Sequence, residues 1–263
     1  MNITIIKLSG KVIEQLQNDN RFIESIKTVK KNYGKPILVH GAGSEINKWS
    51  QMLGINSSYY NGHRVTDDIT MEVVAAVQGG LVNTKIVSRL QTCGIDSIGL
   101  SGVDRGLLKA EYLNKNIGYV GNPIMNGSVK WIKDLCSQNV LPVFSSVCKD
   151  NKGNLMNVNA DLFSQTLAIG LESKIVFFLS DVNGLKLDGE FQHVVSIDQI
   201  KVGLDSGEIK DGMLPKVLSC SELISHGVEK VWMGTMDDFI NIQNKEKEGN
   251  YGTWIVGSRK IAI

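Results

Sequence analysis

Apolar residues follow two rhythms along this chain, and the rhythms take turns from end to end. Residues 3–8, 37–39, 140–147 and 174–179 are short, mostly apolar runs, and 95–100 and 228–233 are apolar stretches interrupted by polar residues. Runs of that length, rich in Ile, Val and Phe, read as buried strands. Between them apolar residues recur every three or four positions, the spacing of an amphipathic helix. Phe22, Ile23, Ile26, Val29 and Tyr33 form one such stripe, closed by Gly34. Ile46, Trp49 and Leu53 form a second. Met71, Val74, Ala75 and Val77 form a third, with Thr66, Asp67 and Asp68 as candidate N-caps. Gly79-Gly80 is expected to interrupt that helix before Val82, Ile86, Val87 and Leu90 resume it.

Further helices are expected at 129–137, around Leu162, Thr166 and Ile169, and from Met213 to His226-Gly227, with Pro215 in the first turn. Asn61-Gly62 and Asp188-Gly189 signal hairpins, and residues 150–153 a turn. Residues 107–113 and 118–120 read as short extended pieces, 245–249 as a solvated loop and 252–256 as a last strand. Strand–helix alternation of this kind builds βαβ units and a parallel sheet, so the fold class is α/β. There is no internal repeat, low-complexity run or linker.

Composition narrows the picture mainly by exclusion. With 263 residues, the chain is long enough for one large domain or two lobes with a sizeable core. Its net charge of +1 favours neither nucleic acid nor a membrane surface. No apolar run is long enough to span a bilayer, and residues 1–8 lack the pattern of a secretion leader, which predicts a cytoplasmic protein. Cys93, Cys136, Cys148 and Cys220 are scattered without C-x-x-C spacing and read as reduced, mostly buried thiols. His40, His63, His193 and His226 have no metal-ligand spacing, so no metal site is expected from them.

The candidate chemistry lies where strands end. The stretch from Lys35 to Asn47 runs from a strand through His40, Gly41, Ala42 and Gly43 into a helix. Its amides would suit an anion, and a βα loop that merely needs positive φ would look the same. Glycines and polar residues recur at the other strand ends, at Lys7/Gly10, Ser101/Gly102, Asp181/Gly184 and Gly234. Ligands of open α/β sheets bind at those ends. Asn157, Asn159 and Asp161 alternate, and so share one side of an extended segment, unless Asn159 or Asp161 simply caps the next helix. Two nucleotide signatures are excluded: Ile46 stands where a dinucleotide fingerprint needs glycine, and no G-x-x-x-x-G-K-[ST] occurs. Lys7, Lys216 and the amides near Gly10, Gly41 and Gly43 remain as donors able to converge on a polyphosphate. Phosphoryl transfer needs little more than such charge and in-line positioning, and Asp161 is a candidate to hold the two lysines.

Six segments in order, K-L-S-G (7–10), V-H-G-A-G (39–43), R-V-T-D (64–67), M-N-V-N-A-D (156–161), L-S-D-V-N-G (179–184) and D-G-M-L-P-K (211–216), resemble the amino acid kinase family. R-V-T-D and M-N-V-N-A-D are similar to its members that act on acyl-glutamates. The resemblance implies a three-layer αβα sandwich around a mainly parallel central sheet. Residues 1–173 would bind an N-acyl-L-glutamate and form the dimer, and residues 174–263 would bind ATP with Mg²⁺. It implies that ATP phosphorylates the γ-carboxylate of N-acetyl-L-glutamate, a step of arginine biosynthesis. Lys7 and Lys216 would stabilise the moving phosphoryl group, with Asp161 orienting both. Gly41, Ala42, Gly43, Arg64, Asn157 and Asn159 would meet the substrate. Gly10, Ser180, Asp181, Gly184 and Met213 would meet the nucleotide.

Two departures stand out: Ala42 and Ser9 occupy positions that are usually glycine in the family. Ala42 is therefore expected at negative φ, and with Tyr59, Tyr60, His63 and Val65 it would line the acyl pocket. That keeps N-succinyl-L-glutamate as an alternative substrate. A non-catalytic acyl-amino-acid sensor on the same fold is the second alternative. Arginine-inhibited relatives carry an extra N-terminal helix before the first strand, so an arginine-insensitive homodimer is expected. The helices between residues 67 and 92 are the candidate interface, unless they pack only within their own core.

Overall fold

The computed structural model describes residues 1–16, 19–210, 213–243 and 251–258. The expected loop at 245–249 and the Asp211-Gly212 of the last motif lie outside them. The elements run β1 (Ile3–Leu8), α1 (Gly10–Leu16), α2 (Asn20–Asn32), β2 (Lys35–His40), α3 (Gly43–Met52), β3 (Tyr59–Tyr60), β4 (His63–Arg64) and α4 (Asp68–Val74). A π-helix (Ala75–Val82) follows, then α5 (Asn83–Thr92), β5 (Ser97–Ser101), β6 (Leu108–Tyr112), β7 (Val120–Met125) and α6 (Lys130–Ser137). Next come β8 (Leu141–Ser145), β9 (Val147–Lys149), β10 (Leu155–Val158), α7 (Ala160–Leu171), β11 (Ile175–Leu179), β12 (Lys186–Leu187) and β13 (Glu190–Phe191). The last are β14 (Val194–Ser196), α8 (Ile197–Asp205), α9 (Leu214–Ser225), β15 (Lys230–Gly234), α10 (Met236–Gln243) and β16 (Thr253–Val256).

Eight strands form one sheet in the order β14-β16-β15-β11-β1-β2-β8-β5. Only β15 and β16 pair antiparallel in it, so the sheet is mainly parallel, as expected. Strand β1 lies at its centre with β2 and β11 on either side. Strand periodicity gives the sheet two cores. Ile3, Ile5, Ile37, Val39, Val176 and Phe178 pack with Phe163 and Leu167 of α7 and Val217 and Leu223 of α9. Ile6, Leu8, Leu38 and Phe177 pack on the other face with residues of α1–α5 and α10. Helices on both faces of the sheet complete the three expected layers.

Both hairpins form where Asn-Gly and Asp-Gly predict them, with positive φ at Asn61, Gly62, Asp188 and Gly189. Elsewhere packing overrides the pattern. Gly79-Gly80 does not break its helix, which continues as a π-helix held between buried Val74, Val77, Val82 and Ile86. Their burial outweighs a glycine cost of about 1 kcal/mol each. Helix α3 buries Ile46 and Ser50, whereas Trp49 and Leu53 face outward, because its inward stripe is centred one residue further round. The extended piece expected at 107–113 is β6, one residue shorter at each end, and the one at 118–120 extends on into β7; the two close a small barrel with β9 and β10. Cys136, Cys148 and Cys220 are buried free thiols, and Cys93 is half-buried.

Candidate active site

Strand register assembles the site. Lys7 on β1 sits beside Val39 of β2 and Phe178 of β11, and Leu8 beside His40. Alternation then sends Lys7 to the same face as Ile5, towards α7. There the Lys7 ammonium meets the Asp161 carboxylate at 2.7 Å. Asp161 stands in the first turn of α7, which Asn159 caps by accepting from the Asp161 amide at 2.7 Å. Asn159 is therefore the helix cap that its spacing allowed. An acidic residue in a first turn is also favoured by the helix dipole.

The glycine loop leads from β2 into α3 on the adjoining strand. Neither Gly41 nor Gly43 has positive φ, and Ala42 has φ −152° and ψ 34°. The negative φ expected of Ala42 is found; the special backbone expected of its neighbours is not. What the glycines supply is room. A Cβ on Gly43 would touch nothing within 4 Å, and one on Gly41 would rest 3.6 Å from the Ala160 Cβ. The Ala42 side chain is buried in the core, and its amide has no acceptor among the described residues. Gly10 faces this loop, where a Cβ would come 3.1 Å from the Ser44 Oγ.

The first hairpin folds back onto the loop. Arg64 is buried at 7% exposure and has no carboxylate partner among the described residues. Its Nη2 donates to the Gly43 carbonyl at 3.2 Å and to the Tyr59 hydroxyl at 2.7 Å, and its Nη1 to the Ser57 hydroxyl at 2.9 Å. Tyr59 in turn donates to Asn47 of α3 at 2.9 Å. Burial lowers the Arg64 pKa from the usual guanidinium value, opposed by Tyr59. Nearby, the Asn157 amide donates to Thr66 Oγ1 at 3.1 Å. The two terminal nitrogens of Arg64 carry four N–H groups, and three bonds occupy them. A carboxylate gripped by two of these nitrogens would take over an existing bond.

Beyond the end of β11, Asp181, Gly184 and Met213 line a cleft of about 420 Å³, together with Phe191, Lys186 and Lys210. Ser180 is buried beneath it, its hydroxyl accepting from the Val182 amide at 3.3 Å. Lys216, in the first turn of α9, reaches the Asp181 carboxylate at 3.5 Å. The Asp181 carboxyl is held below the usual range by its own backbone amide and then by the Lys216 charge. This corrects one expectation. Among the described residues Asp161 holds Lys7 alone, and Lys216 turns to Asp181 at the end of β11. Two lysines with separate carboxylates thus flank the space between the glycine loop and the cleft.

The loop also has buried polar support that no motif of the sequence marks. His40 has no solvent exposure; its Nδ1 lies 2.9 Å from the Gly41 carbonyl and its Nε2 3.0 Å from the Asn83 Nδ2. Gln78 of the π-helix donates to Ser146 Oγ at 3.0 Å nearby. A polar residue at an otherwise apolar strand end was the available signal. Burial lowers the His40 pKa to about 4, against a small opposing effect of the Gly41 carbonyl.

Known proteins resemble this chain throughout its length. A profile of the amino acid kinase family matches residues 2–234. An acetylglutamate kinase of Dehalococcoides mccartyi is 33% identical over 263 residues, covering 97% of this chain and 95% of its own. One from Clostridium acetobutylicum is 32% identical over 238 residues, covering 86% and 80%. The crystal structure of smu.665 from Streptococcus mutans shares the fold, with a TM-score of 0.79 at 24% identity over 97% of this chain and 98% of that one.

The buried histidine makes stability depend on pH. The unfolded chain binds its proton near 6.5 and the folded chain only near 4, so the unfolded state holds more protons in between. Stability therefore rises with pH across that window and is lost as pH falls through it. The difference is worth about 3 kcal/mol at most. Urea unfolding between pH 4 and 7 should show this slope, and His40→Asn should flatten it. An equally steep slope in the variant would assign it to other groups.

Proposed function

The chain belongs to the amino acid kinase family, and from that premise we propose that it transfers the γ-phosphoryl group of ATP to the γ-carboxylate of N-acetyl-L-glutamate, in arginine biosynthesis. The observation that carries the substrate half is Arg64: a buried guanidinium with no carboxylate partner among the described residues, tied to the glycine loop through the Gly43 carbonyl. A desolvated charge of that kind is costly until a counter-ion reaches it. The α-carboxylate of an acyl-glutamate would serve, with Asn157 and Asn159 near it and the γ-carboxylate directed to Gly41, Ala42 and Gly43. The relatives named acetylglutamate kinase favour the acetyl substrate.

In this reading residues 1–173 hold the acyl-glutamate and residues 174–263 the nucleotide. The adenine end of ATP would occupy the cleft of Asp181, Gly184 and Met213 above Ser180, and its phosphates would reach towards Gly10. Mg²⁺ would arrive with the nucleotide and supply positive charge to its phosphates, since no group of three or more His, Cys, Asp or Glu among the described residues would hold the ion by itself. A γ-carboxylate oxygen attacks the γ-phosphorus in line. The bond to the β–γ bridging oxygen breaks, its electron pair stays with ADP, and an acyl phosphate forms. A carboxylate is already ionised near neutral pH, so no general base is needed. Lys7 and Lys216 would neutralise charge on the equatorial and leaving oxygens. Asp161 and Asp181 would keep the lysines in place until the anions arrive.

The same reading makes the protein a cytoplasmic homodimer joined through the helices between residues 67 and 92, which sedimentation velocity would check. No helix among the described residues is long and apolar enough to cross a membrane.

Purified chain with MgATP and hydroxylamine should yield a hydroxamate from N-acetyl-L-glutamate. A hydroxamate from N-succinyl-L-glutamate alone would move the substrate, and calorimetric binding without any turnover would make the protein a sensor. Lys216→Ala should lower kcat roughly 100-fold, as loss of one transition-state donor does, without moving the urea midpoint. Arg64→Lys should instead raise the KM for acyl-glutamate roughly 30-fold, because an ammonium lacks the planar fork. If kcat alone fell in the Arg64 variant, its place at the substrate carboxylate would be lost.

A further inference from the structure

We propose that His40 and Asn83 are positioning residues for phosphoryl transfer, which together aim the Ala42 amide of the glycine loop into the cleft beside Lys7. This rests on the phosphoryl-transfer reading above and names two residues that touch neither substrate.

The argument starts from alternation along β2. Val39 belongs to the core that packs on α7, and Leu38 to the core on the opposite face. His40 follows Leu38, so its ring lies on the face away from Lys7 and Asp161. There it meets Asn83, the first residue of α5 after the π-helix.

Two carbonyls fix every proton in this contact. The Asn83 Nδ2 lies 2.9 Å from the Val143 carbonyl, with the Leu100 carbonyl its longest neighbour at 3.5 Å, so that atom is the donating nitrogen. Its other hydrogen then points at His40 Nε2, which must accept. A neutral ring that accepts at Nε2 carries its proton at Nδ1, and Nδ1–H donates to the Gly41 carbonyl. Gly99 on the neighbouring edge strand leaves room for this amide, since a Cβ there would collide with the Asn83 Oδ1.

Pinning the Gly41 carbonyl sets the next amide. The peptide is trans, so its C=O and the following N–H point in opposite directions. With the Gly41 oxygen held towards His40, the Ala42 N–H faces the side where Lys7 and Asp161 meet. That N–H has no acceptor among the described residues, as a donor waiting for an oxyanion should. A peptide free to flip would offer a carbonyl there instead, and an acceptor repels the oxyanion.

Two measurements on the full chain test this. ¹⁵N NMR of the wild type should report His40 as the Nδ1–H tautomer; a predominant Nε2–H tautomer overturns the proposal without any variant. Kinetics with MgATP and N-acetyl-L-glutamate then separate positioning from packing. His40→Asn keeps a donor near the Nδ1 position, whereas His40→Gln keeps one near Nε2 only. With urea midpoints confirming folded protein, His40→Gln should lose roughly 30-fold in kcat and His40→Asn no more than about threefold, both with KM values within about threefold of wild type. Equal losses in the two variants, or a Gln variant with wild-type kcat, overturn the role. If His40→Gln does not fold, the tautomer decides. A wild-type chain without turnover overturns the functional reading and the role with it. An active wild type with an insensitive Gln variant overturns only the role.

Discussion

Parallel pairing of β1 with both β2 and β11 is the constraint on which the rest of the structure depends. It aligns three strand ends, so Lys7, the glycine loop and the Asp181 turn open on the same edge of the sheet. Parallel strands cannot be joined by short turns, so a crossover must follow each, and here those crossovers bring α3 and α7 to the site. The site is thus a by-product of how the sheet closes its cores. A one-residue slip of β1 would turn Lys7 away from Asp161 and Leu8 out of its core at once. Packing and chemistry therefore select the same register.

The second theme is charge kept ready. Lys7 and Lys216 each hold a carboxylate, at 2.7 Å and 3.5 Å, and among the described residues Arg64 holds only neutral acceptors. In the proposed reaction two anions must meet, and a cleft lined this way would lower their repulsion before any bond changes. There the aspartates, Asp161 partly exposed and Asp181 exposed, would order these cations without burying fixed negative charge where the reactants meet. Asp161 does this from the capped first turn of α7, and its neighbour Asn159 supplies the cap.

Support for the loop comes from the opposite face of the sheet. A π-helix places Gln78 and then Asn83 against strand ends that regular helical winding would phase differently. Its two glycines are tolerated because buried valines flank them. That face is where tertiary packing, rather than local propensity, shapes the chemistry.

Much of this was legible in the amino-acid sequence, for identifiable reasons. Strand runs, hairpin dipeptides and the N-caps at Asp67 and Asn159 are local features whose physics acts within a few residues. They determined the α/β class, the positions of seven of the eight strands of the main sheet, β14 excepted, and the residues that carry charge at strand ends. Helices α1, α8 and α10 carry no legible stripe, because short stripes are weak signals until a partner surface exists. The outward turn of Trp49 and the pairing of Lys216 with Asp181 depend on side chains far away in the chain. The same holds for His40: nothing in V-H-G-A-G says that the ring faces away from the cleft, or that Asn83 will meet it. Only the tertiary structure decided those matters, because strand order and helix rotation are set by which surfaces bury one another, and no window of sequence contains both surfaces.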